Sequence, residues 1–177
     1  MKKISLLALM PLFILGIIIP VMNASGQDFK NYNGWEFLTW KAKKDDVEKI
    51  LKQKSVEPQS YDFKKPLAYA LIFTYGDFKT ECDFDSIKKL VKVSQHIDFS
   101  IGQDNKSKEF FDNLIKEMEI KYGRIDKKSN NLIDEITTID WKLTFTKIHL
   151  VYDYKYKVVD EMGCCSYTID IDFEPLE

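Results

Sequence analysis

Two stretches of strict alternation decide most of what this chain is able to become. Leu67, Tyr69, Leu71, Phe73 and Tyr75 occupy every second position, and Ile148, Leu150, Tyr152, Tyr154, Tyr156 and Val158 do so again further on. Only an extended strand puts every second side chain on one side, so each run reads as a strand with one buried face. Gly76-Asp77 then forms a two-residue hairpin turn. It sets Tyr75 against Phe78, Phe73 against Thr80, Leu71 against Cys82 and Tyr69 against Phe84. The inward positions of the two strands agree, as register demands when one face is buried. In the second hairpin a four-residue turn at Asp160-Glu161-Met162-Gly163 is expected. It would place Val158 against Cys165, Tyr156 against Tyr167 and Tyr154 against Ile169.

The rest of the chain fills in around these hairpins. Gly34 to Trp40 (GWEFLTW) is aromatic and reads as a first strand. Asp45 caps a short helix that ends near Lys54, with Glu48 reaching back and Val47, Ile50 and Leu51 as its apolar stripe. After a turn at Ser86–Lys89, a third strand carries Val91, Val93, Ile97, Phe99 and Ile101 inward. Gln95 interrupts that row and needs a hydrogen-bond partner or an exposed position. Asp104 to Gly123 is the main helix, with Phe111, Leu114, Ile115, Met118 and Tyr122 at helical spacing. Asp104 or Ser107 starts it and Gly123 ends it. A polar loop from Arg124 to Asn131 leads to a strand around Trp141. The expected fold is α+β, an antiparallel sheet with two helices packed on one face, in the order β-α-β-β-β-α-β-β-β. No internal repeat is visible.

The first 26 residues have a different character. Lys2 and Lys3 precede an apolar run from Ile4 to Met22, and Asn23-Ala24-Ser25-Gly26 is small and polar. This is the build of a secretory signal, with cleavage expected within Ala24–Gln27. Residues 27–177 then form the folded domain, periplasmic or extracellular. The apolar run is also long enough to span a bilayer, so an uncleaved membrane anchor is the rival reading. No cysteine lies near the cleavage region to carry a lipid.

Composition excludes several function classes. Against 28 acidic residues stand 26 basic ones, two of them in the leader. Acids and lysines alternate, so no basic face for nucleic acid is present. Arg124 is the only arginine, which leaves little for bidentate capture of anions. There is no G-x-S-x-G, no H-E-x-x-H and no glycine-rich phosphate loop. No cofactor is implied.

Three cysteines remain after export. On strand parity Cys82 and Cys165 point inward and Cys164 outward, so a disulfide from Cys82 to one of the adjacent pair, Cys165 foremost, is preferred; unbridged buried thiols are the alternative and a strained Cys164–Cys165 bridge a minor one. His96 and His149 are the only histidines. Each is flanked by inward residues, so both belong to the non-core face, where Asp98, Asp153, Asp170 and Asp172 join them. A zinc site there requires the two strands to be neighbours. The ordinary solvated sheet face is the simpler reading. Trp35, Tyr152, Tyr154 and Tyr156 are the interface candidates, because Tyr and Trp dominate binding hot spots.

The succession GWEFLTWKAKKDDVEKIL, KKLVKVSQHIDF, a helix ending in KYG, Trp141 with IHLVY, and a final YTIDIDF resembles a broad group of small, uncharacterised exported bacterial proteins. The opening helix-then-hairpin portion is similar to the SmpA/OmlA outer-membrane assembly lipoproteins and to beta-lactamase-inhibitor-like domains. The resemblance to these last two families implies action by binding other proteins. The chain lacks the lipid-bearing cysteine of the former, so no site residue carries over. The leading expectation is a non-enzymatic exported domain that binds a protein or cell-envelope component. The alternatives are a carrier of a small apolar ligand, in a cavity lined by Trp35, Phe111 and Trp141, and a metal-dependent enzyme using the His96/His149 face.

Overall fold

A computed structural model of the chain describes residues 33–62, 69–100, 102–131, 135–159 and 162–176. The leader, residues 1–26, and the positions Leu67 and Ile101 lie outside the described residues. The elements in chain order are α1 (Lys44–Gln53), β1 (Gln59–Asp62), β2 (Tyr69–Tyr75), β3 (Phe78–Phe84), β4 (Leu90–Phe99), α2 (Asp104–Tyr122), β5 (Lys127–Asn131), β6 (Ile136–Lys142), β7 (Thr146–Val159) and β8 (Met162–Pro175). All eight strands join one antiparallel sheet in the order β1-β2-β3-β4-β8-β7-β6-β5.

The mixed helix-and-sheet class stands, but the expected element order does not. The chain runs through one helix and four antiparallel strands, then repeats that order. The two halves meet at a central seam, β4 against β8, and their strands fan out to the edges in mirror order. A structural repeat thus exists where the sequence shows none.

Alternation sets the faces. Leu71 of β2 lies across from Cys82, which lies across from Val93, then Phe173, Ile148 and Trp141 on the following strands. All six are essentially buried. Val47 and Leu51 of α1 and Phe111, Met118 and Tyr122 of α2 belong to the same hydrophobic cluster as this row. Burial of a large apolar side chain is worth roughly 1.5–3 kcal/mol, so this layer is the main source of stability.

The first hairpin has the expected register, Tyr75 against Phe78 through Tyr69 against Phe84. The second is shifted by two residues. Tyr154 faces Tyr167, Tyr156 faces Cys165 and Val158 faces Gly163. A two-residue connection replaces the expected four-residue one, and because the shift is even the face assignment survives. In β4 an irregularity between Asp83 and Phe84 of β3 turns Leu90 inward in place of Val91.

Residues 34–40 are not a strand. Trp35 and Leu38 exchange both backbone hydrogen bonds, at 2.8 and 2.7 Å, around Glu36 and Phe37. Glu36 sits at φ 50°, in the left-handed region. Gly34 takes φ +145°, and a Cβ there would lie 1.9 Å from the Leu38 carbonyl oxygen, so only glycine closes this loop. The loop folds Trp35, Leu38 and Trp40 into the core instead of laying them along an edge. Trp40 Nε1 donates to Thr146 Oγ1 of β7 at 2.9 Å, a buried bond between the two halves.

Helix starts also differ from expectation. Lys43, not Asp45, is the N-cap of α1, and Gln103 precedes α2; neither start has a side-chain cap. Asp45 and Asp46 lie inside the first turn, where they favour the helix dipole. Gly123 ends α2 at φ 85° as expected, and its carbonyl accepts from Trp141 Nε1 at 3.1 Å.

Candidate functional site

The seam is polar on its outer face. Here β4 carries Lys92, Ser94, His96 and Asp98, and β8 carries Thr168, Asp170, Asp172 and Glu174. Lys92 Nζ lies 2.9 Å from Asp172 and 3.6 Å from Glu174, and Ser94 Oγ donates to Asp172 at 2.7 Å. His96 bridges two carboxylates, Nδ1 at 2.5 Å from Asp170 and Nε2 at 2.8 Å from Asp98. Partial burial pulls its pKa down, but the bonds to Asp170 and Asp98 outweigh that and raise it above the ordinary histidine value. His149 is held by Asp140 of β6 at 2.6 Å.

The strands bearing the two histidines are not neighbours, since β8 runs between β4 and β7. Each imidazole is engaged by its own carboxylates. Among the described residues no group of three or more His, Cys, Asp and Glu is arranged to hold a metal ion.

The expected Cys82–Cys165 bridge is not made. Cys82 is a free, fully buried thiol. It lies two strands from Phe173, and Cys165 is eight residues further along β8, about 26 Å at ~3.3 Å per residue. A disulfide needs Cα atoms within roughly 7 Å. Parity placed both cysteines on one face but carried no information about position along the strands. Burial, reinforced by Asp83 and Glu81, pushes the Cys82 thiol far above its usual pKa, so it supplies no thiolate.

Two features remain on the helix-bearing side. The first is the aromatic base of the β7–β8 hairpin. Phe111 of α2 stacks on Tyr152 at 4.5 Å between ring centroids, Tyr152 on Tyr167 at 5.4 Å, and Tyr167 meets Tyr154 at 5.0 Å. Tyr152 is fixed further by Ser107 Oγ, 2.9 Å from its hydroxyl. Tyr152, Tyr154 and Tyr167 are each half-buried. Two of the expected interface residues, Tyr152 and Tyr154, therefore sit together on this surface. Tyr156 continues the row along β7, and its side chain lies outside the described residues. Trp35 does not belong to it: fully buried, it packs on Phe73, Tyr75 and Phe173. Tyr167, across the hairpin, was not among the expected interface residues; the observed register sets it against Tyr154 in place of Tyr156.

Beyond this base the hairpin outruns its neighbours. β6 pairs with β7 only as far as Tyr152, and β4 pairs with β8 only from Tyr167. From Lys155 with Ser166 to Val159 with Met162, five residue pairs are joined to each other and to no other described strand. That makes an arm about 17 Å long at ~3.4 Å per residue.

The second feature is a cleft of about 470 Å³ between α2 and the tip of the β2–β3 hairpin. Phe110, Leu114, Met118 and Tyr122 form its helical wall, Phe78 the opposite one, and Gln95, Ile171 and Phe173 the floor. Trp35 and Trp141, expected with Phe111 to line a cavity, are fully buried and do not line this cleft. No helix among the described residues is long and apolar enough to cross a membrane. No family model matches the chain, nor does any curated protein or solved structure.

Proposed function

We propose that this chain is an exported, non-enzymatic binding domain that docks a protein or cell-envelope partner through the β7–β8 arm and the tyrosines at its base. The observation that supports this reading most is the arm itself. A two-stranded ribbon is marginally stable alone, and both its outer edges present backbone donors and acceptors to whatever arrives. Such edges are ready to receive a strand from another protein. Tyr152, Tyr154 and Tyr167 supply rigid, amphipathic contact area beside them, the residue type that dominates binding hot spots.

The same reading accounts for the polar outer face without invoking chemistry. Lys92 and His96 are spent on carboxylates across the seam, and His149 on Asp140 across the β6–β7 pair. The resemblance to assembly lipoproteins and beta-lactamase-inhibitor-like domains, which act on other proteins, runs in the same direction.

The test is retrieval of the domain from the cell envelope with its bound material, comparing the natural chain with Tyr154→Ser and Tyr167→Ser. One stoichiometric partner with the natural chain, lost in both variants at unchanged melting temperature, is expected. A partner retained by both folded variants would remove the tyrosines from the proposal.

A further inference from the structure

We infer that the cleft between α2 and the β2–β3 tip is a binding site for a small, apolar, uncharged or cationic molecule that carries an N–H or O–H donor at its buried end. The inference does not rest on the partner-binding reading, which uses a different part of the hairpin-and-helix surface.

Shape comes first. The cleft exists because α2 leans on the sheet through Phe111 and Tyr152 at one end and through Tyr122 and Phe173 at the other. Between these supports the helix turns Leu114 and Met118 toward Ile171 and Phe173, while Phe110 meets Phe78 at 5.8 Å between ring centroids at the edge of the gap. At about 470 Å³ the space falls within the range of small-molecule sites.

A polar group at the bottom then sets chemistry. Gln95 is only 8 % exposed and stands in the middle of an otherwise apolar floor. Among the described residues its side chain makes one hydrogen bond, a long one of 3.4 Å from Nε2 to Thr80 Oγ1. Oε1 has no partner there. Oε1 is not one of the fully buried unpartnered atoms, so it opens to the cleft, and a ligand N–H or O–H that reaches it there makes its bond in a largely apolar surrounding.

Charge at the mouth selects against anions. The rim carries Glu36, Asp77 and Glu117 against one cation, Lys121. Lys121 is engaged by Glu36, whose loop it ties across to α2. The remaining field at the entrance is negative, which repels a carboxylate or sulfonate and tolerates a neutral or cationic head.

A matched pair of fluorescent probes tests this directly on the folded domain. N-phenyl-1-naphthylamine has an apolar body of about seventeen non-hydrogen atoms and one N–H, and at usual ligand efficiencies it should bind in the tens of micromolar. Its sulfonated relative, 8-anilinonaphthalene-1-sulfonate, keeps the body and adds the anion. Saturable one-to-one binding of the neutral probe is expected, at least tenfold tighter than the sulfonate. The N-methylated neutral probe, lacking the donor, should bind roughly fivefold more weakly to the natural chain, as expected for one lost hydrogen bond. Gln95→Leu should erase that preference. Leu114→Trp, which fills the cleft, and Asn113→Trp, at its exposed mouth, should each cost tenfold or more while circular dichroism stays unchanged. Sulfonate binding as tight as the neutral probe, or neutral binding untouched by both tryptophan variants, would overturn the inference.

Discussion

The two halves of the molecule share an order of elements but use it differently. In the first half α1 is ten residues long and is pinned by a loop that buries Trp35, Leu38 and Trp40. Its central hairpin turns tightly at Gly76-Asp77 with strands of seven residues. In the second half α2 is nineteen residues, touches the sheet at its ends and leaves the cleft along its flank. Its last hairpin, β7–β8, has strands of fourteen residues where the counterpart β3–β4 has seven and ten, and it runs past every described neighbour. Both copies supply the core, but only the second extends an arm beyond it, and the cleft lies between its helix and the first copy's hairpin tip.

That difference is open to direct attack by substitution. The largest effect is expected in the first half. Trp35→Ala should destabilise the domain by about 3–5 kcal/mol in denaturant unfolding, since it empties a site packed on all sides. An equal loss from Tyr154→Ala would erase the contrast between scaffold and surface. Next comes the tie between the halves. Thr146→Val leaves Trp40 Nε1 without its acceptor, and Gly34 N also loses a bond to that hydroxyl. A cost of about 1–3 kcal/mol follows for a buried donor left unsatisfied. If the halves unfolded in two separate transitions in this variant, the bond would be the main link between them.

A smaller effect should come from acid titration. Burial, then the neighbouring Glu81, raises the Asp83 carboxyl to about 6, against the opposing pull of Lys92. In the unfolded chain the same group titrates near 4. Between those values the folded state holds the extra proton, so stability falls as pH rises through that window. Asp83→Asn should flatten this slope and raise the melting temperature at pH 7. His96 acts with the same sign at higher pH. Its contacts with Asp170 and Asp98 stabilise fully below the unfolded histidine value and fade as pH climbs through the raised folded one. His96→Gln should remove that upper slope, which is modest because the ring is partly exposed.

The smallest stability change is expected at the aromatic base. Tyr154→Ser should shift unfolding by less than about 1 kcal/mol, the usual range for a half-exposed position. Its consequence belongs to binding, not folding.

Strand faces were legible because period-two alternation reports burial directly, as Leu71 through Trp141 illustrate. The edge strands were not. β5 reads KKSNN and is exposed at all five positions, so no hydrophobic pattern marks it; its pairing with β6 is carried by backbone alone. β1, QSYD, is silent for the same reason. The loop at 34–40 misled in the opposite way: aromatic content suggested a strand, but Gly34 and the left-handed Glu36 close it into a turn. Of the candidate site, Tyr152 and Tyr154 were visible in sequence. The arm was not, because its existence depends on where β4 and β6 stop. Gln95 reads in sequence as an inward polar residue in need of a partner or an exposed position, and the structure sets it in the floor of a cleft.

The most direct measurement removes the arm and leaves its base. Residues 155–166 are replaced by Asn-Gly, joining the cross-strand pair Tyr154 and Tyr167 through a two-residue turn. The shortened domain should melt within a few degrees of the natural one and should no longer retain its envelope partner. Collapse of the fold would show the ribbon to be structural, and undiminished partner binding would show that recognition lies elsewhere.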